Sequence, residues 1–156
     1  MPDTPTPSEN AAFSEEATDG GFRKFLYVED HPANLALVVQ LFARRANWKL
    51  LTAIDGNLGI IVAKANLPEV ILMDINLPGI SGFEVLRILR AEPTLCHIPV
   101  IALSSNAFAD DIASGLKAGF FRYLTKPYQI RDLMNALDDA LHVVSMRRAD
   151  ERRQIV

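Results

Sequence analysis

Residues 70–79 read VILMDINLPG. Four apolar residues run into one carboxylate, Asp74, and a Pro-Gly turn follows at residues 78–79. A strand with one face in water alternates apolar and polar residues, because successive side chains point to opposite faces. VILM does not alternate, so both of its faces are expected to be covered, as in a parallel sheet with helices on either side. PVIAL at 99–103 reads the same way.

Working outward, strand-like and helix-like segments take turns. KFLYVED (24–30) leads into PANLALVVQLFARRAN (32–47), where Leu35, Val38, Val39 and Phe42 are spaced for one helix face. WKLLTAID (48–55) precedes GNLGIIVAKANL (56–67), a helix weakened by Gly56 and Gly59. PEVILMD (68–74) is followed by GFEVLRILRAE (82–92), and HIPVIALSS (97–105) by NAFADDIASGLKAG (106–119), which stops at a glycine. FFRYLTKP (120–127) gives a last strand, and YQIRDLMNALDDALHVVSMRR (128–148) a long helix with Leu133, Leu137, Leu141 and Val144 on one face. The pattern is (βα)5. Right-handed crossovers then imply an α/β doubly wound parallel sheet, with the flavodoxin-like strand order 2-1-3-4-5.

A chain of 156 residues has room for one domain with a full core. Residues 1–21 carry three prolines and five carboxylates with almost nothing to bury, and are expected to be a disordered extension. The domain is expected over 22–145, with 146–156 a charged extension of the last helix or a tail. The net charge of -3 gives no general reason to bind nucleic acid or an anionic membrane, and without the acidic leader the remainder is slightly positive. Direct nucleic-acid contact and membrane insertion are not expected. A single cysteine, Cys96, excludes an internal disulfide framework and a multi-thiolate metal site; it is expected to be a buried or half-buried filler. No signal peptide is seen, so a cytoplasmic setting is expected.

In the 2-1-3-4-5 order the winding reverses between strands 1 and 3, and ligands bind beyond the carboxyl ends of the strands at that point. Glu29 and Asp30 from strand 1 and Asp74 from strand 3 meet there. Three converging carboxylates repel one another unless a cation is present, and an all-oxygen ligand set suits Mg2+. The backbone carbonyl of Asn76 is a fourth candidate ligand. Ser104, ending strand 4, brings a hydroxyl to the same crevice, and Lys126, ending strand 5, an ammonium. Metal, hydroxyl and lysine together can hold a phosphoryl group, and an aspartate can be the nucleophile that accepts it. The Lys126–Pro127 bond is a candidate cis peptide.

VED at 28–30, LMDINLPGISG at 72–82, IALSSNA at 101–107 and YLTKP at 123–127 lie at intervals that resemble those of the receiver domain of two-component response regulators, over roughly residues 23–145. The resemblance implies that Glu29 and Asp30 help bind Mg2+, that Asp74 is phosphorylated, and that Lys126 is the lysine of that site. It implies Ser104 as the switch hydroxyl, where the family more often has Thr, Tyr123 as the switch aromatic and Asn106 as a residue that tunes hydrolysis. VEDHPAN resembles the opening of receivers that are joined to, or work with, hybrid kinases, with His31 in place of the usual Asn or Asp. The partners implied are a sensor histidine kinase, a hybrid kinase or a histidine phosphotransfer protein. A homodimer through the fourth helix, fifth strand and fifth helix is a further implied state, that face carrying Asp110, Asp111, Lys117, Arg122, Arg131 and Asp132.

Such a domain is a switch more than a turnover enzyme, with self-catalysed phosphotransfer to Asp74 and hydrolysis from it. Two alternatives stand beside it: a pseudo-receiver that binds proteins without being phosphorylated, and an aspartate-nucleophile phosphohydrolase. Against the second, Asn76 occupies the position where such enzymes resemble a DxD pair. A stand-alone receiver and one excised from a larger protein both fit, and the Met1 start with its long polar leader slightly favours the first. Asp30 and Asp74 as simple helix caps, and His31 as a cap or loop residue, are the plainer readings of those positions.

Overall fold

The structure, a computed structural model, describes residues 21–105 and 108–155. Residues 1–20 of the expected disordered leader, and Asn106, therefore lie outside the described residues. Strands β1 (Arg23–Val28), β2 (Trp48–Ala53), β3 (Val70–Asp74), β4 (Val100–Ser104) and β5 (Arg122–Thr125) alternate with helices α1 (Pro32–Phe42), α2 (Gly56–Asn66), α3 (Gly82–Ala91), α4 (Ala109–Ala118) and α5 (Ile130–Ile155). All strand pairs are parallel, and the order is β2-β1-β3-β4-β5. The (βα)5 sheet expected from the sequence is the one found.

Every residue of β3 and β4 is buried, because alternate side chains enter two separate core layers. Phe25, Tyr27, Val70, Leu72, Ile101 and Leu103 pack under α1 and α5. Leu26, Val28, Ile71, Met73, Val100 and Ala102 pack under α2 and α3. Two apolar faces on one strand leave no place for a polar residue until the strand ends, and that end is where Asp74 and Ser104 sit.

Local details depart from the sequence reading. Helix α1 stops at Phe42 rather than Asn47: the amides of Arg44 and Arg45 bond three residues back, to Leu41 and Phe42, which tightens the last turn. The tightened turn lays the Arg45 guanidinium over the Trp48 ring, 4.2 Å from its centroid. Val39 is 48% exposed, and Leu41 takes the core position assigned to it. Cys96 is exposed, a correction to its reading as a buried filler. The turn after α3 buries Leu95 and Ile98 on one side and so leaves the intervening residues outside.

Gly56 and Gly59 weaken α2 as an isolated helix but let it approach α3 and the sheet, respectively. A Cβ on Gly56 would stand 2.6 Å from Val85 Cγ2, and one on Gly59 would stand 2.8 Å from Val28 Cγ2. Helix α2 ends at Leu67 in the left-handed conformation, with φ 49° and the side chain half exposed. A branched residue is costly there and little burial is lost by removing it. Leu67→Gly is expected to raise stability by about 1 kcal/mol, read as a higher midpoint in urea with an unchanged m-value.

Helix α5 continues through the charged segment to Ile155. Buried Glu69, before β3, anchors its extension: Arg23 lies 2.6 Å and Arg148 3.5 Å from Glu69 Oε1. Arg23 also donates to Ser145 Oγ at 3.2 Å.

Candidate functional site

The crevice beyond the carboxyl ends of β1 and β3 gathers the acids. One oxygen from each of Glu29, Asp30 and Asp74 lies within 4.8 Å of the others. Glu29 is fully buried, Asp74 is 4% exposed, and Asp30 faces solvent at the rim. Neither Asp30 nor Asp74 caps a helix. The cap position of α1 is held by His31, whose side chain makes no cap bond, with Pro32 as first helical residue; that of α3 is held by Ser81, which accepts from the Glu84 amide.

Lys126, at the end of β5, closes the site from the other side. Its Nζ is 3.6 Å from Asp74 Oδ2 and 3.7 Å from Glu29 Oε1, and its side chain is 24% exposed. The Lys126–Pro127 peptide is cis. The Lys126 amide donates to the Ser104 carbonyl at 2.6 Å, which fixes the lysine relative to β4. Ser104 is fully buried at the end of β4, one residue past the Leu103 that pairs with Asp74.

Asn76 contributes its amide, which donates to Asp74 Oδ1 at 2.9 Å and pins the carboxylate from the loop side. Tyr123 stands apart from this polar group. Its ring is half-buried against Phe120, 6.3 Å between centroids, and lies over Gly115 of α4, where a Cβ would be 2.3 Å from Tyr123 Cδ2.

One site residue was not singled out in the sequence. Tyr27, fully buried in β1, donates its hydroxyl to Glu29 Oε1 at 2.9 Å. The signal was present: a phenol with a polar tip, two residues before an acid, shares that acid's side of the strand. The His31 amide donates to Glu29 Oε2 at 3.1 Å. Burial, and then the Glu29 carboxylate, push the pKa of the Tyr128 phenol, in the loop after Pro127, above its ordinary value and so keep it neutral.

Electrostatics divide the two buried acids. Burial pushes Asp74 up and the neighbouring Glu29 adds to this, against the Asn76 amide and Lys126, so its pKa lies above the ordinary 3.8. Burial also pushes Glu29 up. A hydrogen bond from Asp74, the Tyr27 hydroxyl, the His31 amide and Lys126 outweigh it and hold Glu29 below its ordinary 4.5. Of the two acids, Asp74 is therefore the one that takes up a proton first as pH falls.

The linkage has a definite sign. Asp74 binds protons more tightly folded than unfolded, so metal-free stability falls as pH rises from the ordinary carboxylate range through the raised pKa of Asp74. A divalent cation binds the ionised carboxylates and so competes with protonation of Asp74. Calorimetry in buffers of different ionisation enthalpy is expected to show proton release on Mg2+ binding, and affinity rising with pH across the same window.

A 2-1-3-4-5 parallel sheet that collects three carboxylates and a lysine at its switch point defines a CheY-like protein. The chain belongs to the response regulator receiver domain family, which it matches over residues 25–138. It is 34% identical over 138 residues to the probable transcriptional regulatory protein TcrX of Mycobacterium tuberculosis, covering 88% of this chain and 58% of that protein. It is 30% identical to Protein PilH of Pseudomonas aeruginosa, over 76% of this chain and 97% of PilH. Among solved structures, the receiver domain of the sensor histidine kinase PA1611 of Pseudomonas aeruginosa, which holds a magnesium ion in its active-site cleft, superposes with a TM-score of 0.68 at 30% identity, covering 78% of this chain and 98% of that one. The chain spans 58% of TcrX and 24% of the response regulator PleD, so it corresponds to a part of several curated relatives. Family membership sets aside the phosphohydrolase reading.

The donor set fits a hard divalent cation: all oxygen, anionic, two members buried and one open to solvent. Among the described residues, no helix is long and apolar enough to cross a membrane.

Proposed function

We propose that Asp74 accepts a phosphoryl group from a phosphohistidine on a sensor histidine kinase, hybrid kinase or histidine phosphotransfer protein, and that the domain thereby switches a protein-binding surface. The observation that carries this is the meeting of Glu29, Asp30 and Asp74 within 4.8 Å, with the Lys126 ammonium 3.6 Å from Asp74. Glu29, Asp30, Asp74 and the Asn76 carbonyl would hold Mg2+, which when bound supplies positive charge to the phosphoryl oxygens.

In the transfer, one carboxylate oxygen of Asp74 forms a bond to phosphorus while the phosphorus–nitrogen bond breaks and its electron pair returns to the imidazole. The Asn76 amide holds the other oxygen, and so orients the nucleophile. Lys126 neutralises charge on the incoming group from the β5 side, and Ser104 donates a hydrogen bond to one of its oxygens. Hydrolysis reverses the state: water attacks phosphorus, the Asp74–phosphorus bond breaks, and inorganic phosphate leaves. Asn106 is proposed to tune that step.

A bound phosphoryl group adds acceptor oxygens, drawing Ser104 and the loop before α4 toward them. Tyr123 then repacks, and the face formed by α4, β5 and α5 changes. Phe108 is exposed at the N-cap of α4, Leu116 on α4 itself and Ile130 at the start of α5. Of the charges expected on this face, Arg122 pairs within the chain, with Asp139 at 3.3 Å. A homodimer through this face is part of the proposal.

Incubation with acetyl phosphate followed by intact-protein mass spectrometry tests the reading. One phosphoryl adduct is expected with Mg2+ and none with EDTA. No adduct on folded protein with either acetyl phosphate or a phosphorylated kinase would favour the pseudo-receiver.

A further inference from the structure

We propose that Tyr27 is a positioning residue for the metal site: its buried hydroxyl orients the Glu29 carboxylate so that the acidic trio is assembled before the cation arrives. The inference rests on the reading of Glu29, Asp30 and Asp74 as a divalent-cation site.

The geometry is specific. Tyr27 and Glu29 are alternate residues of one strand and its end, so both project to the α1/α5 side of the sheet. The phenol stands within the apolar layer, with its ring body among Phe25 and Leu72 and only its tip reaching the carboxyl end. An ionised carboxylate accepts and cannot donate, so the shared hydrogen lies on the phenol and points at Oε1. The His31 amide takes Oε2 from the loop side. Two donors, one on each oxygen, remove the rotation about the last bond of the side chain. Glutamate has one more torsion than aspartate, and a buried glutamate in this role has correspondingly more freedom to lose on binding a cation. Tyr27 removes that freedom in advance.

Outer partners of metal ligands commonly set affinity by an order of magnitude or more. Tyr27→Phe keeps the ring and its packing and deletes only the donor. Mg2+ binding, measured by calorimetry on the full chain, is expected to weaken about tenfold. Glu29→Asp shortens the arm by one methylene and withdraws the carboxylate from the hydroxyl. In that background Tyr27→Phe is expected to change Mg2+ affinity less than about twofold, because the contact is already lost.

Unchanged affinity in Tyr27→Phe overturns the proposal. So does an equal loss in the Glu29→Asp background, which would place the effect in core packing rather than in the contact. Wild-type protein that takes up no Mg2+ would overturn the site reading itself, and that result appears before any variant is made. Should Tyr27→Phe fail to fold, the unaltered protein decides. With three tyrosines in the chain, the ζ-carbon resonance of Tyr27 can be assigned. A shift that follows Mg2+ with the calorimetric midpoint supports the proposal, and a resonance that stays still overturns it.

Discussion

Asp74→Asn is expected to lose phosphoryl acceptance completely and to gain stability when metal-free. The first effect follows from chemistry: a carboxamide is too poor a nucleophile to take phosphorus from a phosphohistidine or acetyl phosphate. The second follows from the site's electrostatics. Burial and Glu29 favour the neutral form of Asp74, and asparagine is close to an uncharged copy of it. At a pH above the raised pKa of Asp74, the substitution removes one of two facing buried charges and is expected to add about 1 kcal/mol of stability. At a pH low enough to protonate Asp74 in the wild type, the gain should vanish. Thermal melts of both proteins in EDTA across that range check the sign. A loss of stability at neutral pH would mean that the attraction of Lys126 for Asp74 outweighs the repulsion from Glu29.

Lys126→Met is expected to act in opposite directions on the two ligands. Its ammonium lies 3.6 Å from Asp74 and 3.7 Å from Glu29, so without it two buried carboxylates face each other with less compensation. Removing one partner of a buried pair costs about 3–5 kcal/mol. Lys126 is partly solvated and its contacts are long, so about 2 kcal/mol of metal-free stability is the expected loss. Phosphoryl uptake from acetyl phosphate is expected to fall about a hundredfold, as when a charge-stabilising donor is taken from a transfer site. Mg2+ affinity should instead rise several-fold, since a competing cation has gone. Calorimetry and the mass-spectrometric uptake assay on one preparation check both. A parallel loss of metal and phosphoryl binding would show that the lysine holds the acids in place rather than serving the phosphoryl group.

Much of this was readable before the fold was seen. VILM and PVIAL carried the architecture, because a strand buried on both faces cannot alternate, and that determines where its first acid must lie. Glu29, Asp30, Asp74 and Lys126 were legible as strand-end residues once the order 2-1-3-4-5 was in hand, since that order alone brings strands 1 and 3 together. What sequence concealed was side-chain direction at single positions. Val39 and Leu41 are both apolar and both helical, and only the final angle of α1 against the sheet chooses between them. Gly56 and Gly59 read as weaknesses because propensity describes a lone helix, whereas their role is the close approach of α2 to Val28 and Val85. Cys96 reads as a filler because it lies next to a strand entry, but the turn that buries Leu95 and Ile98 leaves it outside. Tyr27 hid in an apolar run because its ring belongs to the core and only one atom belongs to the site.

The central claim is that the phosphoryl group resides on Asp74. Borohydride reduces an acyl phosphate to the alcohol, so treatment of phosphorylated protein converts the modified aspartate to homoserine, which peptide mapping can place. We expect homoserine at position 74 alone, in samples that contained Mg2+ and not in those that contained EDTA. Homoserine at another acid, or phosphate found on a serine or histidine with Asp74 unaltered, would contradict the account.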